Sequence, residues 1–129
     1  MSGPTVAPVV KRLSQEKIDR YADVSGDHNP IHVDEAFART TPFGGTIAHG
    51  MLVLASISEM MAAAFGEAWL SSGKLKVRLR APARPGDTIT ASAKPQAAKD
   101  GKTLTYTVEC RNQDGELLIS GTAEAPSGG

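Results

Sequence analysis

Cysteine, aromatic side chains and net charge are all scarce in this chain. Its 129 residues include one cysteine, Cys110, and 5% aromatic residues, and 14 basic residues balance 14 acidic ones. One cysteine cannot form an internal disulfide, which fits a protein of the reducing cytoplasm. A nucleic-acid-binding protein normally carries a basic excess, so the charge balance argues against nucleic acid as a partner.

The chain also lacks a long uninterrupted apolar run. Its most apolar stretch, residues 51–65, includes Ser56, Ser58 and Glu59 and is too short and too polar to span a bilayer. The N-terminal residues 1–10 have no charged-then-apolar pattern of a secretion signal. We therefore expect a cytoplasmic protein with no membrane partner.

The length of 129 residues is usual for one domain, and no internal repeat is present. We therefore expect a single domain over residues 1–129. Its ends, at about residues 1–8 and 126–129, are rich in proline, glycine and serine. Such segments are typical of loose tails.

Helical spacing dominates the front half. Apolar residues recur at that spacing between Ser14, a candidate N-cap, and Gly26, which suits the position past a helix end. Residues 34–38 predict a second, short helix capped by its aspartate. Residues 40–46 predict a loop because they contain a proline and two glycines. Residues 49–65 predict a long helix that is apolar nearly all round, and which other structure must therefore wrap.

The back half alternates between apolar and polar residues with a period of two, which is typical of strands. Asp100-Gly101 and Asp114-Gly115 are hairpin turn signals. Together with a short segment near the N-terminus, the pattern predicts strands at residues 9–13, 74–80, 87–93, 103–110 and 116–123.

These elements predict an α+β fold in which one long helix is followed by an antiparallel meander. A helix that is apolar nearly all round needs a curved sheet around it, an arrangement called the hot-dog fold. A lone unit of this kind leaves an edge strand open, and edge-to-edge pairing of two copies protects it. We therefore expect a homodimer.

The segment Gly26-Asp27-His28-Asn29-Pro30-Ile31-His32 concentrates reactive side chains on a turn, since glycine and Asn-Pro break a plain helix. Asp27 and His32 can move protons on and off a water. Taken singly, Asp27 is equally a turn or cap residue, and His32 a packed or surface histidine. Asn29 either braces the loop or touches a substrate.

A metal site is an alternative for the same segment, because His28 and His32 are four positions apart beside Asp27. Pro30 and the preceding Asn29 disfavour a continuous helix, so the two rings need not share a face. We therefore expect no metal.

Residues 21–32, Tyr-Ala-Asp-Val-Ser-Gly-Asp-His-Asn-Pro-Ile-His, resemble the signature of the MaoC-like, (R)-specific enoyl-CoA hydratases. Residues 48–52, Ala-His-Gly-Met-Leu, resemble the start of that family's central helix, and Pro-Gly-Asp-Thr at 85–88 resembles the approach to a following strand. The resemblance covers about residues 13–123. It implies reversible addition of water to a trans-2-enoyl thioester, giving the (R)-3-hydroxyacyl product. The implied carrier is coenzyme A or, in some relatives, acyl carrier protein, with no metal or redox cofactor.

That reaction needs a deprotonated water, a proton for the α-carbon and stabilisation of the thioester oxygen. We expect Asp27 to act as the base on the water, while His32 orients the water and helps to deliver the α-proton. Two titratable groups on one water couple strongly, so the roles belong to the pair.

Gly50 is the candidate for the third need, and in the resembled family the corresponding glycine amide stabilises the oxygen. N–H groups in a first helical turn lack internal partners, and glycine allows close approach. The helix must then begin near His49, because Thr46 as N-cap would leave the Gly50 N–H bonded within the helix. His49 either caps the helix or lines the substrate pocket.

Other activities remain open. A dehydratase acting on acyl carrier protein, a thioesterase and a non-catalytic acyl-CoA-binding subunit are alternatives to the hydratase, although the Asp27/His32 motif argues against a thioesterase. A basic stripe on residues 74–80 either attracts the phosphates of coenzyme A or is a solvated strand face. Its members are Lys74, Lys76, Arg78 and Arg80.

Overall fold

A computed structural model describes residues 3–97 and 100–127 of the chain. Five strands form one antiparallel sheet, and five helices accompany it in this part of the chain. The helices are α1 (Gln15–Ser25), α2 (Pro30–Val33), α3 (Glu35–Ala38), α4 (Gly50–Phe65) and α5 (Glu67–Ser72). The strands are β1 (Val9–Arg12), β2 (Lys74–Leu79), β3 (Thr88–Pro95), β4 (Thr103–Arg111) and β5 (Leu117–Pro126). The predicted α+β class is confirmed.

The sheet has the order β1-β3-β4-β5-β2. Strands β3 to β5 form the predicted meander. A simple meander would also place β2 beside β3, but β2 lies beside β5 at the far edge of the sheet. Gly121 makes this pairing possible. A Cβ atom at Gly121 would lie 2.1 Å from the carbonyl oxygen of Lys76, so no larger residue allows β2 to approach β5 this closely.

Short-range signals set the helices before α4. The Ser14 hydroxyl accepts a hydrogen bond from the N–H of Lys17, and Gly26 ends α1 with φ of 80°. Asp34 caps α3 through the N–H of Phe37, as predicted. The sequence did not predict α2, a single turn that begins at Pro30. Proline suits this first helical position, where its missing N–H costs nothing.

Helix α4 packs one face against the sheet. Its buried residues are Val53, Ser56, Ile57, Met60 and Met61. The opposite side is open, and Met51 is 62% exposed. In the single chain, the five-stranded sheet therefore covers one side of this helix.

Both predicted tails are wrong where the structure describes them. Val6 is 4% exposed within the core, and the Tyr106 hydroxyl donates to the carbonyl of Pro4 over 2.7 Å. Pro126 ends β5 and pairs with Thr103. Residues 1, 2, 128 and 129 lie outside the described residues. Within the described ranges, no helix is long and apolar enough to cross a membrane.

Candidate active site

His32 and Asp27 come together where α2 meets the segment that precedes α4. The Nδ1 atom of His32 lies 2.8 Å from the carbonyl oxygen of Ile47. A carbonyl only accepts, so Nδ1 carries a proton and Nε2 is left to face Asp27. The distance from Nε2 to Oδ2 of Asp27 is 3.8 Å. The acid and base that the sequence predicted therefore face each other.

The 3.8 Å gap between His32 Nε2 and Asp27 Oδ2 is too long for a direct hydrogen bond. One water oxygen beside the line between these atoms can contact both. The His32 side chain is 12% exposed and that of Asp27 is 54% exposed. The pair is thus open to water from the carboxylate side, while the imidazole is largely covered.

Asp27 also closes the turn, the structural role that the sequence offered as the alternative to a catalytic one. Its Oδ1 accepts from the backbone N–H of Asn29 over 3.2 Å, so this oxygen closes the turn. Asn29 Oδ1 in turn accepts from the N–H of Ile31 and caps α2. The structure therefore gives Asn29 the bracing role, and no substrate contact is needed to explain it.

The His32 backbone is held by Gln15, which the sequence did not single out, and through it by Thr46, which was considered only as a helix cap. Gln15 donates from Nε2 to the His32 carbonyl over 2.8 Å, and the Thr46 hydroxyl donates to Gln15 Oε1 over 2.7 Å. No spacing signal points to this link, because Gln15 and Thr46 are 31 positions apart and meet only through tertiary packing.

Gly50 is the first residue of α4, and His49 is its N-cap. The first helical bonds run from the N–H groups of Leu52 and Val53 to the His49 carbonyl. Among the described residues, the Gly50 N–H has no hydrogen-bond partner. The predicted helix start near His49 is confirmed, and Thr46 is not the cap.

Gly50 and His32 line one cavity of about 290 Å³. Its walls are largely apolar and include Phe43, Val53, Leu79 and Ile119. An unpartnered N–H at a helix start can stabilise negative charge on an oxygen. The arrangement can therefore transfer a proton and polarise a carbonyl within one apolar space.

His49 is not one of the residues that line this cavity, although the sequence offered that role as an alternative. Only 2% of the residue is exposed, and its ring stacks on His32 with centroids 3.9 Å apart. Its side chain makes no helix-capping bond either. Instead, Nε2 lies 3.0 Å from the backbone carbonyl oxygen of Asp27. The substrate contact expected of His49 is wrong, because His32 and Tyr21 cover the ring.

The predicted histidine pair of the metal alternative is not formed, since His28 Nε2 lies 2.9 Å from Asp23 Oδ1. His49 instead lies near Asp27 and His32, and the candidate ligand atoms of these three residues lie within 4.8 Å of one another. The stacked rings are inclined by 25°. Nearly parallel rings do not direct their lone pairs to one ion at about 2.0–2.1 Å. A metal would require this stack to open.

Comparisons with known proteins show which family this chain resembles. A family described as "MaoC like domain" matches residues 3–115. The chain is 33% identical over 118 residues to the (R)-specific enoyl-CoA hydratase of Rhodospirillum rubrum, covering 91% of this chain and 81% of that one. It is 34% identical over 110 residues to the mitochondrial 3-hydroxyacyl-[acyl-carrier-protein] dehydratase of Arabidopsis thaliana, covering 83% and 65% of the two chains.

The fold is similar to that of the unliganded R-hydratase PhaJ1 from Pseudomonas aeruginosa. The TM-score is 0.83 at 28% identity, and the match covers 97% of this chain and 81% of the other. The predicted hot-dog fold is confirmed. In the single chain the sheet remains open and does not close into a barrel.

The separation of His28 from the Asp27/His32 pair is testable by pH titration. The hydrogen bond to the Asp23 carboxylate raises the pKa of His28, and this contact favours the folded state until the pH rises through that pKa. We expect Asp23→Asn to lower the pKa of His28, measured from its imidazole NMR signals. At one fixed pH, the chemical shifts of the His32 ring should be the same in the variant and in the wild type. A change in those chemical shifts comparable to that of His28 would contradict the separation.

Proposed function

This chain belongs to the MaoC-like domain family, and from that premise we propose that it is an (R)-specific enoyl-CoA hydratase. Such an enzyme adds water reversibly to trans-2-enoyl-CoA and produces (R)-3-hydroxyacyl-CoA. One observation carries the proposal: His32, which faces Asp27, lines the same cavity as Gly50, whose N–H has no partner among the described residues. The name of the Rhodospirillum rubrum relative supports the same activity.

The Asp27/His32 pair supplies the proton transfers. A water held between Oδ2 and Nε2 gives one proton to the pair, and its oxygen bonds to the β-carbon. The electrons of the C=C bond move towards the thioester, and the α-carbon then takes the proton back from the pair. One water is added in all, so the balance needs no metal and no redox cofactor, and we propose none.

Gly50 supplies the third requirement. As electrons move towards the thioester, negative charge builds on its oxygen, and in this proposal the Gly50 N–H donates to that oxygen. One such donor changes kcat by about 10²–10³-fold in other enzymes. The apolar walls of the cavity, which include Phe43, Val53 and Ile119, suit the acyl chain.

The carrier is coenzyme A in this proposal, and acyl carrier protein is the second candidate. The Arabidopsis relative, named for an acyl-carrier-protein substrate, favours the second. Arg80 belongs to the basic stripe and also lines the cavity of His32 and Gly50. A cation at that position suits the phosphates of either carrier, since both carry a phosphopantetheine arm. We also propose a cytoplasmic location, on the ground of the single cysteine.

Removal of either member of the acid/base pair should abolish most hydration. We expect Asp27→Asn and His32→Gln to lower kcat/KM by about 10²–10⁴-fold, the usual contribution of general acid–base catalysis. The measurement is loss of enoyl-thioester absorbance with crotonyl-CoA, followed by chiral analysis of the product. Asp23→Asn is the matched control, because Asp23 is an exposed carboxylate close to the same turn.

Parallel assays separate the alternatives. Near wild-type kcat/KM in either variant would overturn the mechanism. Release of free thiol would reveal a thioesterase, and binding without turnover would reveal a non-catalytic subunit. Faster turnover of the crotonyl group on acyl carrier protein than on coenzyme A would select the second carrier. Loss of activity after exhaustive chelation, restored by added metal, would overturn the metal-free mechanism.

A methyl group at residue 50 should obstruct the amide. A Cβ atom at Gly50 would lie 2.6 Å from Cδ1 of Leu79, the movable end of an exposed side chain. We therefore expect Gly50→Ala to keep the melting temperature nearly unchanged and to lower kcat by about 10²-fold. The same factor should appear when the substitution is made in a Leu79→Ala background. Full recovery there would show that displacement of Leu79, and not the amide, caused the loss.

We propose that the protein is a homodimer paired through β2. Directly after β2, the N–H of Arg80 donates to the Leu118 carbonyl of β5, so by the two-residue period the N–H of Val77 faces the free edge. The other edge strand, β1, has four residues and is partly covered, because Lys17 donates to the Arg12 carbonyl.

The two edges can be compared with the same substitution. Sedimentation velocity at micromolar concentration should show a wild-type particle of two 13.5 kDa chains. Val77→Pro removes an edge-facing N–H from β2 and should give monomers. Val10→Pro removes an edge-facing N–H from β1 and should leave the dimer intact. Far-UV circular dichroism checks that both variants fold. A monomeric wild type would contradict the dimer, and dissociation by Val10→Pro alone would contradict its β2 interface.

A further inference from the structure

His49 makes contacts that the proposed chemistry does not use. Its Nε2 lies 3.0 Å from the Asp27 carbonyl oxygen, and its ring stacks on His32 at 3.9 Å. The ring of Tyr21 meets it edge-on at a centroid distance of 4.8 Å. One buried side chain therefore touches both members of the acid/base pair, and Tyr21 is the third titratable residue packed against it.

The Asp27 contact fixes the tautomer of His49. A backbone carbonyl only accepts, so Nε2 carries the proton and Nδ1 keeps a lone pair. Nδ1 is buried and has no hydrogen-bond partner among the described residues. A buried polar atom without a partner destabilises the folded state, whereas an apolar ring of the same shape would avoid this cost. A histidine at this position therefore calls for a reason beyond packing.

The structure assigns His49 as a positioning residue for the proposed hydration: its Nε2–H holds the Asp27 backbone, its ring supports His32, and it exchanges no proton with substrate. Its backbone adds a third link, because the His49 carbonyl accepts the first hydrogen bonds of α4, directly before Gly50. The base, the imidazole and the oxyanion donor thus share one anchor. This inference rests on the proposed function for its kinetic test.

The contacts around His49 favour a ring that takes up no second proton. A second proton would place an N–H at Nδ1 with no acceptor, in a residue that is 2% exposed. It would also set a positive charge against His32 at the moment when His32 takes up a proton. With the ring neutral, His32 can cycle between its two states while the stack and the Asp27 contact stay in place.

Two substitutions separate the two contacts. Gln keeps an N–H donor near the position of Nε2 but has no ring, and Phe keeps a ring but has no donor. We expect both His49→Gln and His49→Phe to lower kcat on crotonyl-CoA, by up to about 10²-fold, the effect of a misplaced reacting group. KM should change little, because His49 does not touch the substrate. His28→Gln, the same change at an exposed histidine, is the matched control.

The pH profile distinguishes positioning from proton transfer. In both His49 variants, log kcat/KM against pH should show as many ionisations as in the wild type, with midpoints shifted because Asp27 and His32 are displaced. Loss of an ionisation would overturn the assignment by making His49 a proton carrier. Wild-type kcat and an unshifted profile in both variants would overturn it by leaving His49 a packing role alone.

A spectroscopic arm does not depend on activity. Long-range ¹H–¹⁵N spectra of the wild type at about pH 8.5, above the usual range for histidine protonation, should show His49 as the Nε2–H tautomer and His32 as the Nδ1–H tautomer. Another tautomer at His49 would overturn the inference even in an active enzyme. If the spectra agree but no enoyl thioester is hydrated, the proposed function fails and the contacts of His49 stand.

Discussion

The hydrogen bond from His32 Nδ1 to the Ile47 carbonyl is the interaction on which the site depends. It joins the one-turn helix α2 to the segment that leads into α4, and it decides which imidazole nitrogen faces Asp27. The Ile47 N–H donates in return to the Ile31 carbonyl, so the two segments run side by side. Together with the contacts of His49, this pairing brings Gly50 close to the Asp27/His32 pair.

The sheet makes that pairing rigid by fixing where α4 begins. The Ala48 N–H donates to the Ala83 carbonyl, which ties the approach to α4 to the segment between β2 and β3. Strand β2 reaches the same region because Gly121 admits it beside β5, and its last residue, Leu79, then borders the cavity. The unusual place of β2 in the sheet order thus shapes the substrate space as well as the open edge.

The sequence was informative where a structure depends on neighbours within about four residues. Ser14, Gly26 and Asp34 act through local backbone bonds, and so does the turn that presents Asp27. Contacts set by tertiary packing carry no comparable pattern. The Gln15–Thr46 link, the stacking of His49 and the pairing of β2 with β5 join residues far apart in the chain. The burial of Val6 was not predicted for the same reason, because its proline-rich neighbours indicate a loose tail and only tertiary packing buries this side chain.

Structural and chemical roles in this site fall on different atoms of the same residues. Asp27 closes a turn with Oδ1 and offers Oδ2 to a water, while His32 is fixed through Nδ1 and reacts through Nε2. His49 begins α4 with its carbonyl and holds the Asp27 backbone with its ring. Truncation to alanine at any of these positions would remove both roles together. An amide in place of the Asp27 carboxylate is more informative, because it keeps the turn acceptor and removes only the base.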